Sequence, residues 1–195
     1  DITANHVLVT SGATEALTAS LMGLLNPGDE VVLFEPLYDS YLPIIEQIGA
    51  VPKLVRLCPP DWAVPLDDLK VAFSDKTKLV VLNTPMNPTG KLFSDHELAA
   101  IAQLCTTYNV IALCDEVYEH LVFDGLEHQS VMRYPELFKR SLAVFSFGKT
   151  LHATGWKMGY CVAPEYLMKE FRKVHQFNVF SCNAPKQYAI ADFLK

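Results

Sequence analysis

No stretch of this 195-residue sequence is apolar for long enough to cross a bilayer. Nor does the opening DITANHVLVT have the basic start and continuous apolar run of a secretory signal. Charge is sparse, at 19% of residues, and the net value is −6 with no basic run. That balance argues against nucleic acid or an anionic membrane as partner. There is no C-x-x-C, and the five cysteines (Cys58, Cys105, Cys114, Cys161 and Cys182) are odd in number and widely spaced. Reduced, mostly buried thiols in a cytoplasmic protein are expected. No histidine pairs with a cysteine at a zinc spacing. His120, close behind Asp115, Glu116 and Glu119, comes nearest to a metal cluster. That segment has a better explanation below, and no metal is expected. Repeats, low-complexity tracts and long linkers are also missing.

Half of the residues are apolar, enough for a sizeable core, and the length favours a single domain spanning 1–195. Short apolar runs alternate with amphipathic stretches. VVLF (31–34), KLVVLN (78–83), VIALC (110–114), LAVFSF (142–147) and GYCVA (159–163) read as strands covered on both faces, as parallel strands are. Helical patterns run from Thr14 to Leu25 and from Tyr38 to a Gly49 cap. Another follows a capping box at Ser94-Asp95-His96-Glu97, and another opens at Pro164. The alternation predicts an α/β fold: a mostly parallel, doubly wound sheet with helices on both faces.

Ligands of such sheets sit beyond the C-terminal strand ends. There the sequence places Glu35-Pro36-Leu37-Tyr38, then Thr84 to Gly90, then Asp115-Glu116-Val117-Tyr118, then Gly148-Lys149-Thr150. An aromatic, an amide, a carboxylate with a phenol, and a lysine should meet at one edge. Gly148-Lys149-Thr150 is a poor nucleotide-hydrolase loop, because that motif needs glycine at position 143, which is Ala143. Ser146-Phe147-Gly148-Lys149 fits S-x-x-K of penicillin-binding enzymes, but the supporting S-D-N and K-T-G segments are missing. Taken singly, Lys149 would be an exposed lysine after a strand, Asp115 a turn cap, Tyr38 a core tyrosine, and Met86 to Gly90 an ordinary turn.

Together these segments resemble a family. SFGKTLHATGWKMGY (146–160) is similar to the cofactor-lysine segment of class I/II pyridoxal-phosphate-dependent aminotransferases of fold type I. LNTPMNPTG (82–90) resembles their asparagine loop, CDEVYEHLVF (114–123) their aspartate–tyrosine segment, and VTSGATEAL (9–17) their phosphate-binding turn. FEPLYDSY (34–41), GYCVAP (159–164) and RKVHQF (172–177) point to the methionine and kynurenine–glutamine subgroup. The resemblance implies pyridoxal 5′-phosphate as cofactor and 1–195 as the cofactor-binding large domain.

It also implies roles. Lys149 would carry the cofactor and move the substrate's α-proton, a task suited to a lysine made neutral by burial and nearby cations. Asp115 would keep the cofactor's ring nitrogen protonated. Tyr118 and Asn87 would hydrogen-bond the ring oxygen, Asn83 would assist near the substrate, and Tyr38 would stack on the ring. Gly12, Ala13 and Thr14, at a helix start, would cradle the phosphate with Ser146 and Lys157. Trp156 is expected to pack in the core. The implied reaction moves an amino group from a large neutral amino acid, methionine or aromatic, to a 2-oxo acid, in a homodimer. A carbon–sulfur β-lyase of the same fold, or a non-catalytic cofactor-binding module, would share these motifs. Family members also carry an N-terminal arm and a C-terminal small domain bearing the arginine that grips the substrate carboxylate. Arg56, Arg133, Arg140 and Arg172 match no such motif. The sequence is therefore expected to be a large-domain fragment, inactive alone.

Overall fold

Period-two alternation explains the two cores. In the computed structural model, which describes residues 2–195, the odd and even positions of each central strand enter different layers. Strand β1 is Val7–Thr10 and β2 is Glu30–Glu35; β3 is Val51–Arg56, β4 Thr77–Asn83, β5 Ile111–Asp115, β6 Ser141–Ser146 and β7 Gly159–Val162. Val32, Phe34, Val80, Leu82, Ala112, Cys114, Ala143 and Phe145 face one core. Val31, Leu33, Leu79, Val81, Leu113, Leu142 and Val144 face the other.

Helices complete both layers. Helix α1 is Gly12–Leu24, α2 Tyr41–Ile48, α3 Leu66–Ala72, α4 Asp95–Thr107, α5 Pro135–Phe138, α6 Phe147–Thr150, α7 Glu165–Asn178 and α8 Ala184–Phe193. Leu69 of α3, with Leu98 and Ile101 of α4, covers the first face. Leu17 and Leu21 of α1, Ile45 of α2 and Phe171 of α7 cover the second. No helix among the described residues is long and apolar enough to cross a membrane.

The sheet order is β1-β7-β6-β5-β4-β2-β3. Strands β3, β2, β4, β5 and β6 run parallel, as expected. Strand β7 does not: it is antiparallel to both β6 and β1. Being buried on both faces, it carries the same apolar composition as the parallel strands, so composition could not reveal its direction. The reversal is important for the site. It brings Gly159, at the start of β7, opposite both Ser146 at the end of β6 and Thr10 at the end of β1. Asn83 pairs with Asp115 further along the same edge.

Some elements start elsewhere than the pattern predicts. Helix α1 begins at Gly12, two residues before Thr14, and α2 at Tyr41, leaving Tyr38 in the preceding loop. Gly49 caps α2 in the left-handed conformation, at φ 82°. The Ser94 capping box is present in both directions. Trp156 is not in the core: it lies in a surface 3-10 turn, Thr154–Trp156, and is 44% exposed. Three of the five cysteines are buried, Cys182 is intermediate and Cys58 is exposed.

Glu97 joins the α4 cap to the loop ahead of it. Its carboxylate accepts the Ser94 amide at 2.8 Å, the buried Val64 amide at 2.7 Å and the Lys91 ammonium at 2.9 Å. Burial pushes this carboxyl up, but the Ser94 amide, Lys91 and the Val64 amide outweigh it and hold it below its ordinary 4.5. Glu97→Ala leaves the Val64 N–H unpaired and should cost about 2 kcal/mol in urea unfolding at pH 7. Because the folded carboxyl titrates lower than the unfolded one, its ionic contribution is complete above pH 4.5 and fades as pH falls through the folded value. The gap between wild type and Glu97→Ala should therefore narrow in acid. A pH-independent gap would contradict this account.

Candidate active site

At the edge where Thr10, Ser146, Asp115 and Asn83 end their strands and Gly159 begins its own lies a cavity of about 270 Å³. Its size is near the lower bound of roughly 300 Å³ for small-molecule clefts. Gly12, Ala13, Thr14, Tyr38, Asn83, Asn87, Asp115, Tyr118, Ser146, Lys149 and Lys157 all line it. Loops and helix starts distant in sequence thus meet around one space.

The turn before α1 is shaped by two glycines. Gly12 has φ +74°, a left-handed value, and the Thr10 hydroxyl donates to its carbonyl at 2.9 Å. Gly159 allows β7 to pass against this turn. A Cβ there would stand 2.6 Å from the Phe145 carbonyl and 2.8 Å from the Ala13 amide, both backbone. The first amides of α1 have no intrahelical acceptor, and Gly12, Ala13 and Thr14 line the cavity. Lys157 is itself left-handed at φ 53°, an unfavourable conformation for a lysine, and runs its side chain along Gly12.

The opposite wall is built around Asn83. Its side-chain amide donates to the Asp115 carbonyl at 3.0 Å, and its oxygen accepts the Asn87 amide at 2.7 Å. Asn83 borders the cavity, yet both ends of its side chain are occupied in fixing Asn87 and Asp115. The side-chain amide of Asn87 and the Tyr118 hydroxyl make no hydrogen bond among the described residues. Glu116, next to Asp115, points to the other face. It is fully buried and holds the Val131 amide at 2.8 Å and His128 Nε2 at 2.8 Å, which fixes the segment beyond Tyr118.

Lys149 lies in the one-turn helix α6, capped by the Ser146 hydroxyl. Its Nζ stands 5.4 Å from the centre of the Tyr118 ring. The sequence reading expected a buried lysine; the structure places Lys149 exposed, because α6 stands on the cavity rim and no described segment covers it. Neither Lys149 nor Lys157 has an ion-pair partner among the described residues.

A family model for aminotransferase class I and II matches residues 1–195. The chain belongs to the class I and II aminotransferases. Methionine aminotransferase of Escherichia coli (strain K12) is 46% identical over 191 residues, covering 98% of this chain and 50% of that relative. Kynurenine–oxoglutarate transaminase 3 of Rattus norvegicus is 40% identical over 197 residues, covering 96% and 43%. Among solved structures, YbdL from Escherichia coli, identified as having a methionine aminotransferase function, superposes with TM-score 0.95 at 46% identity, covering 97% of this chain and 50% of that one. N-Succinyldiaminopimelate aminotransferase from Mycobacterium tuberculosis gives 0.92 at 40% identity, covering 96% and 49%. The chain spans about half the length of the curated relatives it matches.

Members of this aminotransferase family use pyridoxal phosphate, and the cavity can be tested for fit to it. The cofactor is bipolar: a phosphate at one end, a ring nitrogen able to carry a proton at the other. The cavity is bipolar too. The start of α1 and Lys157, whose side chain runs along Gly12, border one part. The other holds Asp115, 2% exposed, whose carboxylate receives the Tyr41 hydroxyl at 2.6 Å and the Val117 amide only at 3.4 Å. Burial pushes the Asp115 carboxyl up to about 6, against those two donors, and the adjacent Glu116 adds to the rise. A cation beside it would remedy that deficit. The residues therefore fit the group at both ends.

Tyr41, which lies behind the cavity and holds Asp115, is a residue that sequence reasoning missed. It is 2% exposed, and burial, followed by the Asp115 charge, pushes its phenol well up, so it remains a donor. The signal lay in FEPLYDSY, where Tyr41 falls three residues after Tyr38, on the same side of the turn into α2. Among the described residues no three His, Cys, Asp or Glu side chains gather as metal ligands, and His120 is exposed.

The raised Asp115 carboxyl has a stability consequence in cofactor-free protein. Folded Asp115 holds its proton more tightly than unfolded Asp115, so its contribution is favourable below pH 3.8 and lost as pH rises through about 6. Asp115→Asn should accordingly raise cofactor-free stability at pH 7 by roughly 1–3 kcal/mol, and the gain should vanish near pH 4. Thermal unfolding across that pH range measures it. An Asp115→Asn variant less stable than wild type at pH 7 would contradict the assignment.

Proposed function

We propose that this chain is the pyridoxal-phosphate-binding large domain of a cytoplasmic, homodimeric enzyme. That enzyme transfers an amino group from a large neutral amino acid, methionine or aromatic, to a 2-oxo acid. The observation that carries the reading is the single cavity in which Lys149, Asp115 and the Gly12–Thr14 turn occur together. The donor class follows the methionine and kynurenine specificities of the relatives. The buried free thiols favour a reducing compartment.

When bound, the cofactor supplies an aldehyde and an electron-withdrawing ring. The residues of this chain do the rest. The amides of Gly12, Ala13 and Thr14, with Ser146 and Lys157, bind the phosphate through a helix N-terminus and an added positive charge. Tyr38 covers one ring face. Asn87 and Tyr118 direct their free polar groups at the ring oxygen, and Asn83 keeps Asn87 in place through its 2.7 Å bond. Asp115 would keep a proton on the ring nitrogen, and its underpaired buried carboxyl would then be one member of an ion pair. Lys149 would hold the cofactor through its Nζ and, when released, would serve as the base that moves the substrate's α-proton. Its place at the cavity rim suits both tasks.

Two measurements test the reading. Borohydride reduction of cofactor-treated protein, followed by peptide mapping, should place the cofactor mass on Lys149; mass on Lys157 instead would reverse the assignment of the two lysines. In the full-length enzyme, Asp115→Asn should lower turnover by about 100-fold or more, since a neutral amide cannot keep the ring nitrogen protonated. Together with the stability gain above, this gives opposite signs for stability and turnover in one variant. Near-normal turnover would remove Asp115 from the mechanism.

A further inference from the structure

One buried pair of titratable groups has no part in the chemistry above. Glu15, in the first turn of α1, and His175, in the last turn of α7, are each 7% exposed. His175 Nδ1 lies 3.2 Å from Glu15 Oε1, and Glu15 Oε2 accepts the Ser11 amide at 3.2 Å. Ser11 is the N-cap of α1, but its hydroxyl caps nothing. The Glu15 carboxylate, from within the helix, instead accepts the amide of the N-cap residue itself. By drawing the Ser11 N–H back on itself, it fixes the residue that sets the turn and leaves the amides of Gly12, Ala13 and Thr14 for a ligand.

This arrangement creates an electrostatic conflict. A carboxylate one helical turn from an anion site repels the anion, and a buried one is poorly screened. The groups around Glu15 do not all help. Cys161 and Cys182 are neutral thiols, pushed up first by burial and then by the Glu15 charge itself. Lys157 lies across the turn, on the cavity side. His175 is the group in contact able to become cationic. It sits at the C-terminal end of α7, where the helix dipole favours a positive charge.

We infer that His175, as an imidazolium, cancels the charge of Glu15 behind the Gly12–Thr14 turn, so that Glu15 can brace the turn without repelling a phosphate monoester. Both are positioning residues, and the inference rests on reading that turn as the phosphate cradle. It predicts an effect confined to the phosphate end of the ligand, which packing alone would not produce.

The test compares pyridoxamine 5′-phosphate with pyridoxamine, by fluorescence titration of full-length protein. His175→Gln keeps a donor for Glu15 but leaves its charge uncompensated. The preference for the phosphorylated ligand should fall about tenfold, with pyridoxamine affinity little changed. Adding Glu15→Gln to that variant removes the charge but keeps an acceptor for Ser11. The preference should return to within about twofold of wild type, a coupling that independent sites would not show. Glu15→Gln alone should raise the preference above wild type, and it decides the question should His175→Gln fail to fold. Unchanged preference in the single variants, or equal weakening of both ligands, would overturn the inference. A wild-type protein without preference for the phosphorylated ligand would instead overturn the cradle reading beneath it.

Discussion

Asp115 is a carboxylate buried at the end of a central strand with too few donors. A phenol at 2.6 Å and one long amide contact are what the protein provides. Buried carboxylates are ordinarily paired or hydrogen-bonded several times over, and an underpaired one is costly. The surrounding structure is arranged so that the deficit persists. Asn83 binds the Asp115 backbone and not its side chain. The neighbouring Glu116 points to the opposite face and uses its own oxygens on Val131 and His128. What would otherwise be a defect in the core is a place where a cationic group would be held.

The far part of the cavity has the converse arrangement. Lys157 runs along Gly12 with no ion-pair partner among the described residues, and an anion bound at the start of α1 would pair it. A ligand with a negative and a positive end satisfies both halves at once. A simple anion would satisfy one half and leave Asp115 unpaired. An underpaired carboxylate and an unpaired lysine on one cavity would favour a ligand that carries both charges. Glu15 and His175 add that the turn has an electrostatic back side as well as a front.

Much of this could be read in the sequence because the parallel strands are buried on both faces and their ends carry the chemistry. VVLF, KLVVLN, VIALC and LAVFSF stand out as apolar runs, and the residue types after each run point to one edge. The resemblance then supplied the roles. What escaped did so for physical reasons. Edge strand β3 buries Val55 alone among VPKLVR, so no apolar run marks it. Helix α8 buries only Ile190 and shows no apolar face to read. The direction of β7 left no trace in its composition. Tyr41 and the Glu15–His175 pair depend on contacts between residues distant in sequence, which spacing does not encode. The exposure of Lys149 depends on what covers the rim, a property of neighbouring segments and not of the lysine's own motif.

The pairing of β1 with β7 sets Val7 against Val162. It joins parts of the chain far apart in sequence, and such contacts bear the largest loop-closure cost and form slowly. The Gly12–Thr14 turn follows β1 directly, while Lys157 precedes β7 and Gly159 opens it, so the two sides of that wall meet only when this strand pair has closed. The parallel strands pair across shorter separations, so the strand pair that completes this wall carries the largest closure cost. A ligand that requires both sides of the wall binds only the closed form and draws the equilibrium toward it. A ligand spanning Gly12 and Lys157 would then act as a clasp between two segments remote in sequence.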